Sequence, residues 1–349
     1  MKLGLSLGNI NGSSVHEQVA LSKAAERLGY SVVWAAEAYG CDAPTLLSYI
    51  AASTERIDIG AAVMQIPART PAMTAMTAAT LDLLSDGRFR LGLGVSGPQV
   101  SEGWHGVRFD RPLARTREYV EVVEAALQRR LVYHEGEFFP LPLPDGPGKA
   151  LRLSVRPARH HLPVYLGAVG PRNVRLAAEI ADGWLAIFAS ARHVTDLRDE
   201  VLSGRRAGGR EEQPFDIAAT VPAVLGDDLE ACADRLRGHA ALYLGGMGSR
   251  QENFYNQLAC RMGYEDAARR VQDLFLNGRV REAGAAVPLD FIDQTSLIGP
   301  PGRLAERLHA YFSAGVTTLC IATPAPVVEG RKDTLRRVSE VFDGAGLAD

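Results

Sequence analysis

Cysteine is scarce in this 349-residue chain: Cys41, Cys232, Cys260 and Cys320 lie far apart, with no Cys-x-x-Cys pair and no Cys/His spacing suited to a metal. That excludes a disulfide framework and a structural zinc centre, and it fits a reduced, cytoplasmic compartment. Charge of one sign is lacking too. The 38 Lys and Arg offset 41 Asp and Glu to a net −3, and they are interspersed, so neither a nucleic-acid footprint nor an acidic tail is present. No apolar run reaches the ~18 residues a membrane span needs, and the short apolar start at residues 1–7 has no signal-peptide cleavage pattern. No Gly-x-Gly-x-x-Gly follows that first run, and no internal repeat is visible. A soluble protein with a small-molecule partner, and neither a nucleic acid nor a membrane as partner, is the expectation left.

What the chain does have is 46% apolar residues, in short runs that alternate with longer segments of helical period. Strands are expected at 3–7, 31–35, 57–63, 89–93, 163–167, 183–188, 216–225 and 317–322, eight in all. Caps and the 3.6-residue period place helices between them: one after Ser13 and Ser14 closed by Gly29, then 44–53, 71–84, 113–131, 171–181, 193–207 and 332–342. Beyond Asp227 the chain is expected to be mostly helical as far as Asn277. Residues 132–163, with a hairpin around Glu135-Gly136 and a Pro/Gly-rich stretch at 140–148, read as an insertion, and residues 239–290 as a helical one. Eight β/α units in a single domain over 1–349 predict a closed (β/α)8 TIM barrel, with an open doubly wound sheet as the alternative.

Such a barrel keeps its active site at the C-terminal ends of its strands, so the residues just past each strand are the candidates. These are Gly8 and Asn9, then Glu37 and Tyr39, then Met64 and Gln65. After strand four come Val95, Ser96, Gly97 and Gln99, with His105 further on, and after strand five Ala168, Val169, Gly170, Pro171, Arg172 and Asn173. The last group runs from a strand through a tight turn into a helix N-terminus. Free N–H groups and the helix dipole favour a phosphate there, Gly170 lets it approach, and Arg172 adds charge. The plainer alternative is that Gly-Pro only starts a helix.

Those residues also carry a resemblance. Leu166-Gly167-Ala168-Val169-Gly170-Pro171, with Leu176-Ala177 and Ile180-Ala181-Asp182-Gly183-Trp184 behind it, resembles the cofactor-phosphate motif of luciferase-like flavin and deazaflavin enzymes. Leu83-Leu84-Ser85-Asp86-Gly87-Arg88-Phe89 and Gly29-Tyr30 with Trp34 and Glu37 are similar to two further junctions of that superfamily, in the same order. Residues 94–106 and Tyr243-Leu244-Gly245-Gly246-Met247-Gly248, with Asn253-Phe254-Tyr255, resemble its deazaflavin branch, which includes methylenetetrahydromethanopterin reductases. The resemblance implies coenzyme F420 as cofactor, with FMN as the alternative, and a non-prolyl cis peptide at Ala62-Val63 against the cofactor ring. It implies cofactor contacts at Ala62, Val63, Gln65, Ser96, Gly97, Gln99 and residues 168–173. An FMN-dependent monooxygenase and a non-catalytic cofactor-binding barrel are the competing functions. A sugar-phosphate isomerase or lyase ranks last, because no lysine or paired carboxylates mark the strand ends. A homodimer is compatible with the resemblance.

Related deazaflavin glucose-6-phosphate dehydrogenases have an Asp-His pair after strand two, where this chain has Glu37-Ala38. Without that imidazole base, alcohol oxidation loses its proton acceptor at this place, so reduction of a C=C, C=N or C=O bond by hydride from the deazaflavin C5 carbon is expected. Glu37 is then either a proton donor raised by desolvation or a carboxylate that only orients its neighbours. Tyr39 either meets the ring or simply packs; His105 has the pKa for acid/base work or is a satisfied bystander. Gln65 is placed for the ring's pyrimidine edge and Arg172 for the acidic tail of F420; Arg175, one turn along, either joins it or is simply solvated. His160-His161 point to opposite faces and hold no metal. The substrate pocket is expected from the loop after strand four together with 132–163 and 239–290.

Overall fold

The computed structural model describes residues 1–8 and 14–347, and in it the eight expected strands close on themselves. They are β1 (Lys2–Ser6), β2 (Val32–Ala35), β3 (Asp58–Ala61), β5 (Phe89–Gly94), β6 (Val164–Gly167), β7 (Gly183–Ile187), β8 (Asp216–Leu225) and β10 (Thr318–Ala322). All pair in parallel in that order, and β10 bridges β8 and β1, so no edge is left open. This is a closed (β/α)8 barrel, and the open sheet is excluded. Two short strands complete the set: β4 (Met64–Gln65), which resumes the line of β3, and β9 (Leu297–Gly299), beside the outer end of β8.

Strand three is where the expected 57–63 run fails. β3 pairs with β5 as Ile59↔Phe89, whereas β4 pairs with it as Met64↔Leu93, so five steps along one strand span four along the other. That is a β-bulge. The cis peptide Ala62–Val63 lies in it, at the place the resemblance gives.

The barrel interior is filled by unequal partners. The indole of Trp34 occupies the space over Gly60, where a Cβ would stand 2.4 Å from the ring. The floor is polar: Arg90 donates to Asp58 (2.8 Å), to the Tyr165 hydroxyl (3.1 Å) and to Asp216 (3.2 Å), and Thr318 donates to Asp216 (2.8 Å). These residues begin their strands, so this network seals the end opposite the active site and serves stability.

Around the barrel run α1 (Val15–Arg27), α2 (Ala43–Ala51), α3 (Pro71–Leu84), α4 (Pro98–Ser101), α5 (Pro112–Leu127), α6 (Pro171–Ile180), α7 (Ala191–Asp196) and α8 (Arg198–Ala207). Ser14 caps α1 in a reciprocal box with Glu17; Asn9 and Ser13 lie outside the described residues. α5 stops four residues short of expectation, because Arg129 turns left-handed (φ 55°) and Arg130 closes the end onto the Ala125 carbonyl. The single helix expected at 193–207 is two, parted at Leu197. The hairpin at Glu135-Gly136 reduces to one bridge, His134↔Leu141, because Glu118 accepts the N–H groups of Glu137, Phe138 and Phe139 that a ladder would use.

After β8 come α9 (Leu229–Ala241), a π turn (Leu242–Gly246), α10 (Phe254–Arg261), α11 (Glu265–Leu276), α12 (Val280–Ala285) and α13 (Leu289–Thr295), so helix continues well past Asn277. α14 (Pro301–Ser313) and α15 (Val328–Gly344) return to the barrel wall. The segment between β8 and β9 has its own apolar core of Leu236, Leu244, Leu258, Val271 and Phe291, and Phe188 at the end of β7 belongs to it. Among the described residues no helix is long and apolar enough to cross a membrane.

Candidate active site at the barrel mouth

The β6–α6 turn has the geometry of an anion cradle. Gly170 caps α6 with no side-chain acceptor, Pro171 opens the helix, and a Cβ on Gly170 would meet nothing within 4 Å. The first N–H groups of α6 have no partner within the helix. The turn's carbonyls are engaged elsewhere: Trp184 Nε1 donates to the Ala168 oxygen (2.8 Å), and Arg261 of α10 donates to that of Val169 (3.2 Å). Arg172 is exposed and makes no hydrogen bond or ion pair among the described residues. His193, buried in α7, is pushed below its ordinary pKa by burial and then by the Arg261 cation, with Asp196 acting the other way. Arg175 does not join. It donates to Ser203 (2.6 Å) on α8 and faces Glu200, one helix surface away from the cradle.

Across the mouth lies the bulge. Val63 fills the room left by two glycines: a Cβ on Gly94 would stand 2.4 Å, and one on Gly167 3.1 Å, from its methyl groups. Just beyond, Gln65 is buried and donates its N–H to Glu37 (3.0 Å), while its side-chain oxygen meets His105 Nε2 (2.8 Å). Glu37 also accepts from the Ala43 N–H (3.2 Å) and, on both oxygens, from the Arg69 guanidinium (2.7 Å each). Asp42 holds the same guanidinium. Four donors converge on this carboxylate, an arrangement that suits a group orienting its neighbours. His105 is engaged through Nε2, and the Gln65 amide N–H2 makes no hydrogen bond among the described residues. Ser96 (φ 60°) turns the chain into α4 through Gly97, Gln99 is exposed on that short helix, and the loop folds back to bring His105 inward.

The third wall is aromatic. Phe188 (φ 52°) stacks on His239 (5.8 Å) and Phe291 (6.1 Å) and meets Tyr243 (5.1 Å) and Tyr255 (6.2 Å) edge-on. Tyr39, 60% exposed after β2, faces this wall and lies close enough to Tyr243 to raise its pKa, although burial is the larger cause. The π turn that carries Tyr243 frees carbonyls that an α-helix would bond, and Asn253 takes up those of Tyr243 (2.9 Å) and Leu244 (3.1 Å), with Asn256 adding a second bond to Leu244 (3.0 Å). Asn253→Ala is expected to cost ~1–3 kcal/mol, because buried acceptors lose their donor; a urea unfolding midpoint equal to the wild type's would show that the turn holds without it.

Arg261, Phe188 and His239 had no sequence signal as site residues. They sit in apolar or helical runs whose period marks an element but not which element ends meet.

The profile of the luciferase-like monooxygenase family matches residues 1–318. A Mycobacterium tuberculosis protein that carries the provisional name coenzyme F420-dependent oxidoreductase is 42% identical over 328 residues, covering 92% of this chain and 94% of its own. The 5,10-methylenetetrahydromethanopterin reductase of Archaeoglobus fulgidus is 26% identical over 93% of this chain and 94% of its own. Among solved structures, the coenzyme F420-dependent tetrahydromethanopterin reductase of Methanopyrus kandleri superposes with a TM-score of 0.82 at 22% identity, covering 97% of this chain and 98% of that one.

Proposed function

The chain belongs to the luciferase-like monooxygenase family, and from that premise we propose that it is an F420-dependent oxidoreductase working as a reductase, with a C=C, C=N or C=O bond of a small organic molecule as acceptor. The observation that carries the reading is the uncapped α6 N-terminus at Gly170, open and with the exposed Arg172 in its first turn, on the same barrel mouth as the strand-three bulge. The 42% identical relative favours F420 over FMN.

The residues present fit such a group. The α6 N–H groups with Arg172 would hold its phosphate, the bulge at Ala62 and Val63 would back its ring, and the Gln65 amide would face its edge. When bound, the reduced deazaflavin supplies hydride from C5 and does not readily activate oxygen. The protein's own part is positioning: Arg69 and Glu37 fix Gln65, Gln65 fixes His105, and the aromatic wall excludes water from the acceptor.

Titration with F420 and, separately, FMN, followed by fluorescence and thermal unfolding, tests this directly. F420 is expected to raise the unfolding temperature and FMN to do little, since a ligand of the folded state stabilises it. Arg172→Ala is expected to weaken F420 roughly tenfold by loss of one charged hydrogen bond. Preferential binding of FMN would replace the reading with an FMN-dependent monooxygenase.

A further inference from the structure

His239 lies in the last turn of α9, and its side chain makes no hydrogen bond or ion pair among the described residues. Its ring lies on Phe188 (5.8 Å) and beside Tyr243 (4.7 Å), held by aromatic contact alone. The side chain is solvent-exposed, and the protein packed beside it lowers its pKa. It lies on the barrel-mouth side, because the Phe188 ring it rests on directly follows β7.

The titratable group against the His239 ring is the Tyr243 phenol, which has Tyr255 packed on it (4.8 Å) and Tyr39 near enough to raise its pKa. The charged residues of its own and adjoining elements are engaged elsewhere, Arg237 with Glu230 and Asp234, and Asp290 with Tyr264 and Gln294. Burial alone accounts for the shift. The imidazole is therefore an unclaimed donor and acceptor, in a mouth whose strand-two position holds Ala38.

Resting on the reductase reading, we propose that His239 is the catalytic residue that exchanges a proton with the oxygen of a carbonyl acceptor. As hydride with its electron pair adds to the carbonyl carbon, the π pair moves to oxygen, and that oxygen takes the ring proton of the His239 imidazolium. F420H2, having given up hydride, releases its second hydrogen to solvent as a proton and becomes F420; the carbonyl is reduced to an alcohol, and the neutral imidazole takes a proton back from solvent. In the reverse direction the neutral imidazole takes the hydroxyl proton as hydride departs. Because burial lowers the pKa, the imidazolium is lost below the ordinary histidine range. Reduction then slows as pH rises through that lowered value, and alcohol oxidation speeds up through the same interval.

The test has two readouts. In long-range proton–nitrogen NMR of the histidine rings, assigned with His239→Gln, the His239 signal is expected to titrate below the ordinary value and to shift when F420 is added. A signal indifferent to bound F420 places the ring outside the site and overturns the proposal. In F420H2 oxidation with a panel of simple ketones, enones and imines, His239→Gln is expected to keep its unfolding midpoint and F420 affinity, lose roughly 100-fold in rate and lose the pH limb. An active His239→Gln with an unchanged profile sinks this inference alone; a wild-type protein that binds F420 yet reduces no probe sinks the reductase reading and the inference with it.

Discussion

Gly92→Ala is expected to destabilise the barrel by ~3 kcal/mol or more, at or beyond the upper end for overpacked cores. The added methyl would stand 1.8 Å from the Ala61 carbonyl oxygen and 2.8 Å from Leu185 Cδ1. Leu185 can rotate away, but the carbonyl belongs to the backbone. Nor can that backbone retreat, since Ala62 N–H is bonded to the Ala35 oxygen (2.8 Å) on the other flank. The extra residue in strand three is accommodated only because its neighbour carries no side chain at this point. Gly302→Ala is the matched control: nothing lies within 4 Å of its added methyl, and it sits inside α14, so stability should hold or rise by up to ~1 kcal/mol. Urea unfolding of both variants decides the matter; a Gly92→Ala midpoint equal to the wild type's would mean that the bulge has room to spare. Where Gly92→Ala stays folded, F420 affinity is expected to fall, because the displaced bulge is the proposed backing of the ring.

Glu37→Ala is expected to cost ~3–5 kcal/mol, the range for removing one partner of a buried ion pair. The Glu37 side chain is 6% and that of Arg69 15% exposed, so the stranded guanidinium gains little from water. Asp42 remains to compensate it in part, which places the loss toward the lower figure. The N–H groups of Gln65 and Ala43 lose their acceptor as well. Glu37→Gln separates the two roles considered for this residue. As an orienting carboxylate it should lose stability and F420 affinity together, with the rate of bound enzyme reduced only modestly. A stable Glu37→Gln that binds F420 normally but has no turnover would identify Glu37 as a proton donor.

Local pattern carried the fold a long way. α3 begins at Pro71 and ends at Leu84 as the caps and period indicate, and β8 spans 216–225 as its apolar run does. Where the reading ran over or under, a distant group had intervened. The Glu118 carboxylate, from α5, took the N–H groups that a hairpin at 135–136 needed. Strand three was read through to residue 63 because a bulge leaves no mark in hydrophobicity; its signature is the register against β5 and the glycine at 92. Whether Arg175, one turn along the same helix as Arg172, joins the cradle is not legible locally; Ser203 and Glu200 on α8 engage it instead.

By itself the sequence determined the barrel class, through eight apolar runs spaced by helical segments, and the turn at 168–173, through a strand, a glycine and a helix start in direct succession. Both are short-range properties, set by steric and hydrogen-bonding preferences within a few residues. Only the tertiary structure brought Glu37 against the Arg69 guanidinium, and Phe188, His239, Tyr255 and Phe291 into one wall. Those roles depend on which groups meet after long separations along the chain, and such meetings are set by barrel closure and the packing of the 229–295 helices, which no local pattern encodes.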